Sequence, residues 1–283
     1  MIMNKKHIAV TGASGYIGKH VIKSLLDRGH DVTAVDIKFK NMDSRVNRKE
    51  ISVFENNPEI FQDLGCPDVV IHLAWRDGFF HNSHKHMLDL SSHYQFISNL
   101  LEGGLKHIVV MGSMHEIGYW EGAVDEATPT NPLSYYGIAK NALRVSVELL
   151  CKEYGAVYQW LRAYYVTGDD LENNSIFSKI IQKEREGEKY FPFTSGKNKY
   201  DFIEVNQLAE QIAAVSVQKK INGIINCCSG EAVSLGDKVE KFIKEKGYKI
   251  ELQYGKFPDR PYDSPAIWGD ASKIFEILEN EKR

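Results

Sequence analysis

KKHIAVTGASGYIGKHVIKSLLDRG, residues 5–29, holds in order a short apolar run, three spaced glycines, and a stretch with apolar side chains at Ile17, Val21, Leu25 and Leu26. The first part reads as a buried strand and the last as an amphipathic helix that stops at Gly29. Gly12, Gly15 and Gly18 fall at the joint between them. The first glycine permits a tight turn, the second lets the backbone approach a pyrophosphate, and the third lets helix and strand pack closely. The N–H groups at the start of the helix would hold such an anion. Asp36 ends the next strand, HDVTAVD. A carboxylate there would accept a hydrogen bond from the 2′-hydroxyl of an adenine ribose and repel a 2′-phosphate. That favours NAD(H), while Lys38 and Lys40, which follow closely, leave NADP(H) open.

The same rhythm continues outward. PDVVIHLAW (67–75) is a strand, apolar throughout its centre, as a parallel sheet covered on both faces requires. A helical stretch over 84–102 leads to the strand LKHIVVMGS. The long helix 134–155 leads in turn to the strand AVYQWLRAYYVTG (156–168). Strands alternating with helices imply an α/β fold, a Rossmann-type doubly wound parallel sheet, over residues 1–168. Beyond it the rhythm changes. NNSIFSKIIQKEREG reads as a helix, and KYFPFTSGKNKYDFIEV as two strands around a Ser-Gly-Lys-Asn turn. A helix NQLAEQIAAVSVQ, a strand GIINCC, a helix SLGDKVEKFIKEKG, a Pro-rich segment and a last short helix follow. Residues 169–283 are expected to form a small α/β substrate-binding region, with about 200–228 returning to the first domain.

Composition narrows the function. The 283 residues are 43% hydrophobic and 26% charged, with a net charge of −3, so no excess of charge points to nucleic acid or an anionic membrane. The beginning of the chain shows no secretory apolar region, and no apolar run approaches the ~20 residues needed to span a bilayer. Cys66, Cys151, Cys227 and Cys228 lack zinc-like spacing and read as reduced thiols. A soluble, cytoplasmic protein is expected.

Chemistry concentrates in two stretches. GSMHEIG (112–118) puts Ser113, His115 and Glu116 at the end of a strand, where doubly wound sheets bind ligands. A Ser-His-Glu hydrolase would need a GxSxG elbow and a distant histidine, and neither is present. In SYYGIAK, Tyr136 and Lys140 are four residues apart and share a helix face. An ammonium beside a phenol stabilises phenolate and brings its pKa from about 10 toward working pH. The tyrosine can then exchange a proton with a substrate alcohol while hydride moves to or from a nicotinamide, with Ser113 bonded to the same oxygen.

TGxxGxxG at 11–18, HLA at 72–74, Ser113, Tyr136-xxx-Lys140 and LRAYYVTG together resemble the extended short-chain dehydrogenase/reductase family, in particular its nucleotide-sugar epimerases, dehydratases and ketoreductases. The resemblance runs over nearly the whole chain. It implies catalysis by Ser113, Tyr136 and Lys140. It implies coenzyme contacts from Gly12, Ser14, Gly15, Tyr16, Ile17, Gly18, Asp36, Leu73, Ala74, Trp75 and Lys140. Contacts to a nucleotide-diphosphate sugar would come from Ser113, His115, Tyr165, Asn174, Tyr200 and Arg260, the last through its guanidinium fork. Dehydratases of the group carry an Asp-Glu pair after the catalytic Ser/Thr. Here Met114 and His115 stand there, so that reaction is set aside, and His115 is read as a second acid/base or as a partner for a sugar hydroxyl.

Three positions depart from the group. Tyr165 and His93 replace asparagines, and Tyr200-Asp201-Phe202 lacks an arginine often used on the diphosphate. His81, His84 and His86 lack the spacing of a zinc site, so a solvated loop is expected and no metal. The leading expectation is a C4 ketoreductase of an NDP-4-keto-6-deoxy sugar. A 4-epimerase holding NAD tightly and a non-catalytic dinucleotide-binding regulator are the alternatives. Family analogy suggests a homodimer through the helices 84–102 and 134–154.

Overall fold

The computed structural model describes residues 5–39, 42–168, 175–259 and 263–282. Strand β1 (His7–Thr11) is followed by helix α1 (Gly18–Asp27) and strand β2 (Asp31–Asp36). Then come β3 (Asn47–Glu50), α2 (Ile60–Asp63), β4 (Val69–His72), α3 (Lys85–Leu88) and α4 (Leu90–Glu102). Next are β5 (His107–Ser113), β6 (Gly122–Val124), α5 (Tyr135–Tyr154), β7 (Val157–Ala163), β8 (Tyr165–Thr167) and α6 (Ile176–Arg185). The C-terminal part holds β9 (Tyr190–Pro192), β10 (Lys199–Tyr200), β11 (Phe202–Glu204), α7 (Val205–Ser216) and β12 (Gly223–Cys227). β13 (Val233–Ser234), α8 (Leu235–Lys246), β14 (Glu251–Gln253), β15 (Ala266–Gly269) and α9 (Ser272–Lys282) complete it.

Seven strands form one parallel sheet in the order β12-β7-β5-β4-β1-β2-β3. Alternate side chains feed opposite faces. Ile8, Val10, Val109 and Met111 join a core with Val21, Leu25, Leu208 and Ile274, while Ala9, Ile108 and Val110 join one with Phe96, Leu100, Leu143 and Val147. Burial on both faces explains the unbroken apolar runs. The chain winds outward from β1 to β3 and then crosses back to β4, so the order reverses between β1 and β4, where such sheets leave a crevice.

Some local expectations change. β3, with the sequence NRKE, has no apolar residue, and an exposed charged edge gives no periodicity to read. The strand expected over 156–168 is split, because β8 leaves the main sheet to pair with β11. KYFPFTSGKNKYDFIEV is not a hairpin. β9 pairs in parallel with β14, and β10 joins a four-stranded sheet, β13-β10-β15-β6. The buried carboxylate of Asp201 ties these pieces together. It accepts hydrogen bonds from the amide and hydroxyl of Ser229, at 2.8 and 2.7 Å, and from the amides of Gly230, 2.9 Å, and Gly269, 3.3 Å.

Candidate active site

The glycine loop has little room for side chains. Gly12 has φ +67°, and a Cβ there would stand 2.8 Å from the amide nitrogen of Ala74; one on Gly18 would run into the carbonyl of Gly12. Gly15 is exposed, and an added Cβ would meet only the Gly12 peptide. Helix α1 begins after Ile17 with no side-chain cap, which leaves its N-terminus open to an anion. Opposite, the Thr11 hydroxyl accepts from the amides of Leu73 and Ala74, each 3.2 Å, and so draws the ends of β1 and β4 together. Asp36 faces the loop, its two oxygens accepting from the amides of Ser14, 2.9 Å, and Ile37, 2.8 Å. The Ser14 hydroxyl donates to the Lys38 carbonyl at 2.9 Å, and the Tyr16 hydroxyl donates to the carbonyl of Gly168. A glycine cradle with a carboxylate at its far end fits a dinucleotide.

The second half of the site is built on α5. Ser134 caps the helix, accepting from the Gly137 amide at 3.1 Å. Gly137 lies against the carbonyl of His115, where a Cβ would clash, so the first turn of α5 presses onto the loop after β5. This sets the Tyr136 phenol beside Ser113, near enough for the serine to oppose the rise in its pKa. Ser113 accepts from the His115 amide at 3.2 Å. Lys140, one turn on, is buried and donates to the Met111 carbonyl at 2.7 Å.

The charge states differ from the expectation that Lys140 would pull the phenol toward neutrality. Burial pushes Tyr136 up to about 12, against the opposing effect of Ser113, and burial pushes Lys140 down to about 7. The ammonium lies 5.9 Å from the centroid of the Tyr136 ring but only 3.6 Å from that of Trp75. Desolvation is the largest influence on each.

The histidine-rich loop is not simply solvated. His84 is exposed, but His86 is buried, and His81 lies flat on the Tyr136 ring, at 5.1 Å and 11°. The His81 carbonyl accepts from the Tyr136 amide at 2.9 Å. His115 is 4.2 Å from His81 between ring centroids, and 6.3 Å from Tyr165, which packs on Tyr200 at 4.4 Å. Thus Ser113, His115, Tyr136, Tyr165 and Tyr200 come together at one end of the sheet. Asn174 and Arg260 lie outside the described residues, as does Lys40.

The family model for "NAD dependent epimerase/dehydratase family" matches residues 8–228. The chain belongs to this family. It is therefore an enzyme of an NAD-dependent, extended short-chain dehydrogenase/reductase group. It is 42% identical over 275 residues to a dTDP-6-deoxy-L-talose 4-dehydrogenase (NAD(+)) of Aggregatibacter actinomycetemcomitans, covering 93% of this chain and 99% of the relative. It is 26% identical over 262 residues to a putative UDP-glucose 4-epimerase of Methanocaldococcus jannaschii, covering 88% and 85%. In fold it resembles the UDP-glucuronic acid 4-epimerase of Bacillus cereus solved with UDP-glucuronic acid and NAD, with a TM-score of 0.81 at 24% identity, covering 96% and 93%.

Within this family fold, Glu116 is a residue whose place the sequence reading missed. It is fully buried and accepts from the Ser113 amide, 2.7 Å, the Trp160 indole, 2.9 Å, and the Arg162 guanidinium, 3.3 Å. Burial raises its pKa, opposed first by Arg162. The signal was present, since Ser-Met-His-Glu has the spacing of a capping box, and the structure forms one. Trp75 is expected at the coenzyme and His93 departs from the group, but nothing in the sequence shows that the two meet. They stack at 4.4 Å and 10°.

Proposed function

We propose that this enzyme interconverts a 4-keto and a 4-hydroxy form of a nucleotide-diphosphate 6-deoxy sugar, acting chiefly as a C4 ketoreductase with NAD(H). The observation that carries this reading is the placing of the Tyr136 phenol beside Ser113 at the end of β5, with Lys140 one helical turn away and the glycine cradle nearby. The 42% relative names a dTDP-linked 6-deoxyhexose oxidised at C4 with NAD(+), the reverse of that reduction.

The glycine loop, Asp36 and Lys140 would hold NAD(H), which when bound would supply or accept the hydride. Tyr136 gives its phenolic proton to the oxygen formed at C4. With a pKa pushed up to about 12, the phenol is protonated at neutral pH, which suits the reducing direction. Ser113 holds the same oxygen. His115, from the same loop, and Tyr165 line the sugar side, and Asp36 takes the adenine ribose. Arg260 and Asn174 are proposed for the sugar nucleotide on sequence resemblance alone.

The protein would work in the cytoplasm as a homodimer. Ile138, Val145 and Leu149 leave an exposed apolar stripe along α5, beside exposed Tyr94 on α4, and a second copy is its proposed cover. Light scattering should then give twice the chain mass, and Leu149→Asp should give one.

The test is NAD+ reduction, followed at 340 nm, with dTDP-6-deoxy-L-talose. Turnover in proportion to added NAD+ supports the reading. Protein purified with NAD held tightly, which interconverts C4 epimers of a nucleotide sugar with no net NADH, would establish the 4-epimerase instead.

A further inference from the structure

We propose that Trp75 is a positioning residue for Lys140: its half-buried indole face is the seat that holds the ammonium in place and keeps it charged for the coenzyme. The inference rests on the reading above in one respect, that Lys140 meets the nicotinamide ribose.

The ammonium has few other partners. Among the described residues its one hydrogen-bond acceptor is the Met111 carbonyl, and no carboxylate comes within ion-pair distance. Glu116 acts on it at longer range, but that carboxylate is already engaged by Arg162, Trp160 and Ser113. The Tyr136 phenol faces it as a neutral group. His72 on β4 and His93 on α4 also face it, and burial holds both imidazoles neutral, at about 3 and about 2. The aromatic face at 3.6 Å is therefore the main compensation for a desolvated cation.

The indole is fixed by hydrogen bonds whose direction can be deduced. The indole N–H can only donate, and it donates to Nδ1 of His86 at 3.0 Å. His86 must then carry its hydrogen on Nε2, which meets the Phe80 carbonyl at 3.0 Å. His93 also stacks on the indole. The Thr11 hydroxyl accepts two amides, so its hydrogen goes to Nδ1 of His72 at 2.9 Å. Nε2 of His72 then donates to Nδ1 of His93, also at 2.9 Å. Two neutral-histidine props, starting from the loop 76–84 and from β1, thus lock one indole under the ammonium.

The test needs no sugar. NADH binding is followed by its fluorescence from pH 6 to 9.5 for the wild type, Trp75→Leu, Trp75→Phe and Lys140→Met. Wild-type affinity should fall as pH rises and Lys140 loses its charge. In Trp75→Leu that fall should begin about one pH unit lower, and in Trp75→Phe by a smaller step. Lys140→Met should bind weakly with no such dependence. An unmoved midpoint in Trp75→Leu, with binding uniformly weaker, would assign Trp75 to packing alone and overturn the proposal. So would a pH dependence that survives in Lys140→Met. If Trp75→Leu does not fold, an unmoved midpoint in Trp75→Phe decides against the proposal and a lowered one supports it. Normal NADH titrations with no sugar turned over would remove the reductase reading and leave the Trp75 assignment standing.

Discussion

Glu116 and Lys140 are both buried charges beside the end of β5, yet their surroundings are opposite. Glu116 has a guanidinium, an indole N–H and a backbone amide on its two oxygens, so its bonding capacity is used inside the protein. Lys140 has one carbonyl and a π-face. An ammonium carries three hydrogens, so Lys140 keeps capacity for a ligand, whereas Glu116 keeps none. The difference separates a charge that holds the loop from a charge with hydrogens still to give. Neither role could be assigned from residue type, since both lie within the family's catalytic stretch.

Several experiments would break or sharpen that contrast. The largest effect belongs to Tyr136, which feels Glu116 and lies 5.9 Å from the Lys140 ammonium. Tyr136→Phe should lower turnover about 10³-fold while NADH binding stays within about twofold, measured by 340 nm kinetics and fluorescence titration. Surviving activity would move the proton donor elsewhere. Next, Glu116→Gln should destabilise the fold by about 3 kcal/mol in denaturant melts, because Arg162 loses its buried partner. A neutral outcome would mean that Glu116 is held protonated.

Lys140→Met should do the reverse and raise the melting temperature of the coenzyme-free protein. The sign follows from the titration. The folded-state pKa of Lys140, about 7, lies below the 10.5 of an exposed lysine, so the unfolded chain binds the extra proton between those values. Stability contributed by this group therefore rises with pH across that window, by about 1.4 kcal/mol per unit. That slope should be missing from Lys140→Met, and an equal slope in both proteins would put the lysine in water. Smallest, Asp36→Ala should shift the NADH-over-NADPH preference by about tenfold, read from the ratio of kcat/KM values.

Much of this fold is legible in the chain. The glycine spacing at 12, 15 and 18 is a steric requirement of the β1–α1 turn, and the apolar strands record a sheet covered on both faces. Ser113, Tyr136 and Lys140 were legible because strand end and helix spacing place them without knowledge of the rest. The packing of His81, His86 and Trp75 was not, although Trp75 was expected at the coenzyme. Their positions depend on a loop folding back on α5 through the Tyr136 amide and on contacts between residues far apart in sequence. The pKa shifts of Tyr136 and Lys140 were hidden for a related reason, since spacing reveals neighbours but not loss of water.

Gly112 draws a limit around the loop that follows it. A Cβ at this position would strike the Trp160 indole nitrogen and a Glu116 oxygen, so only hydrogen fits. Ser113 and Glu116 are bound to each other, and Met114 is sunk in the hydrophobic core. Of the five residues 112–116, His115 is the one whose ring meets His81, Tyr136 and Tyr165. Any change of shape at this end of β5 would therefore reach the rings around Tyr136 through that imidazole.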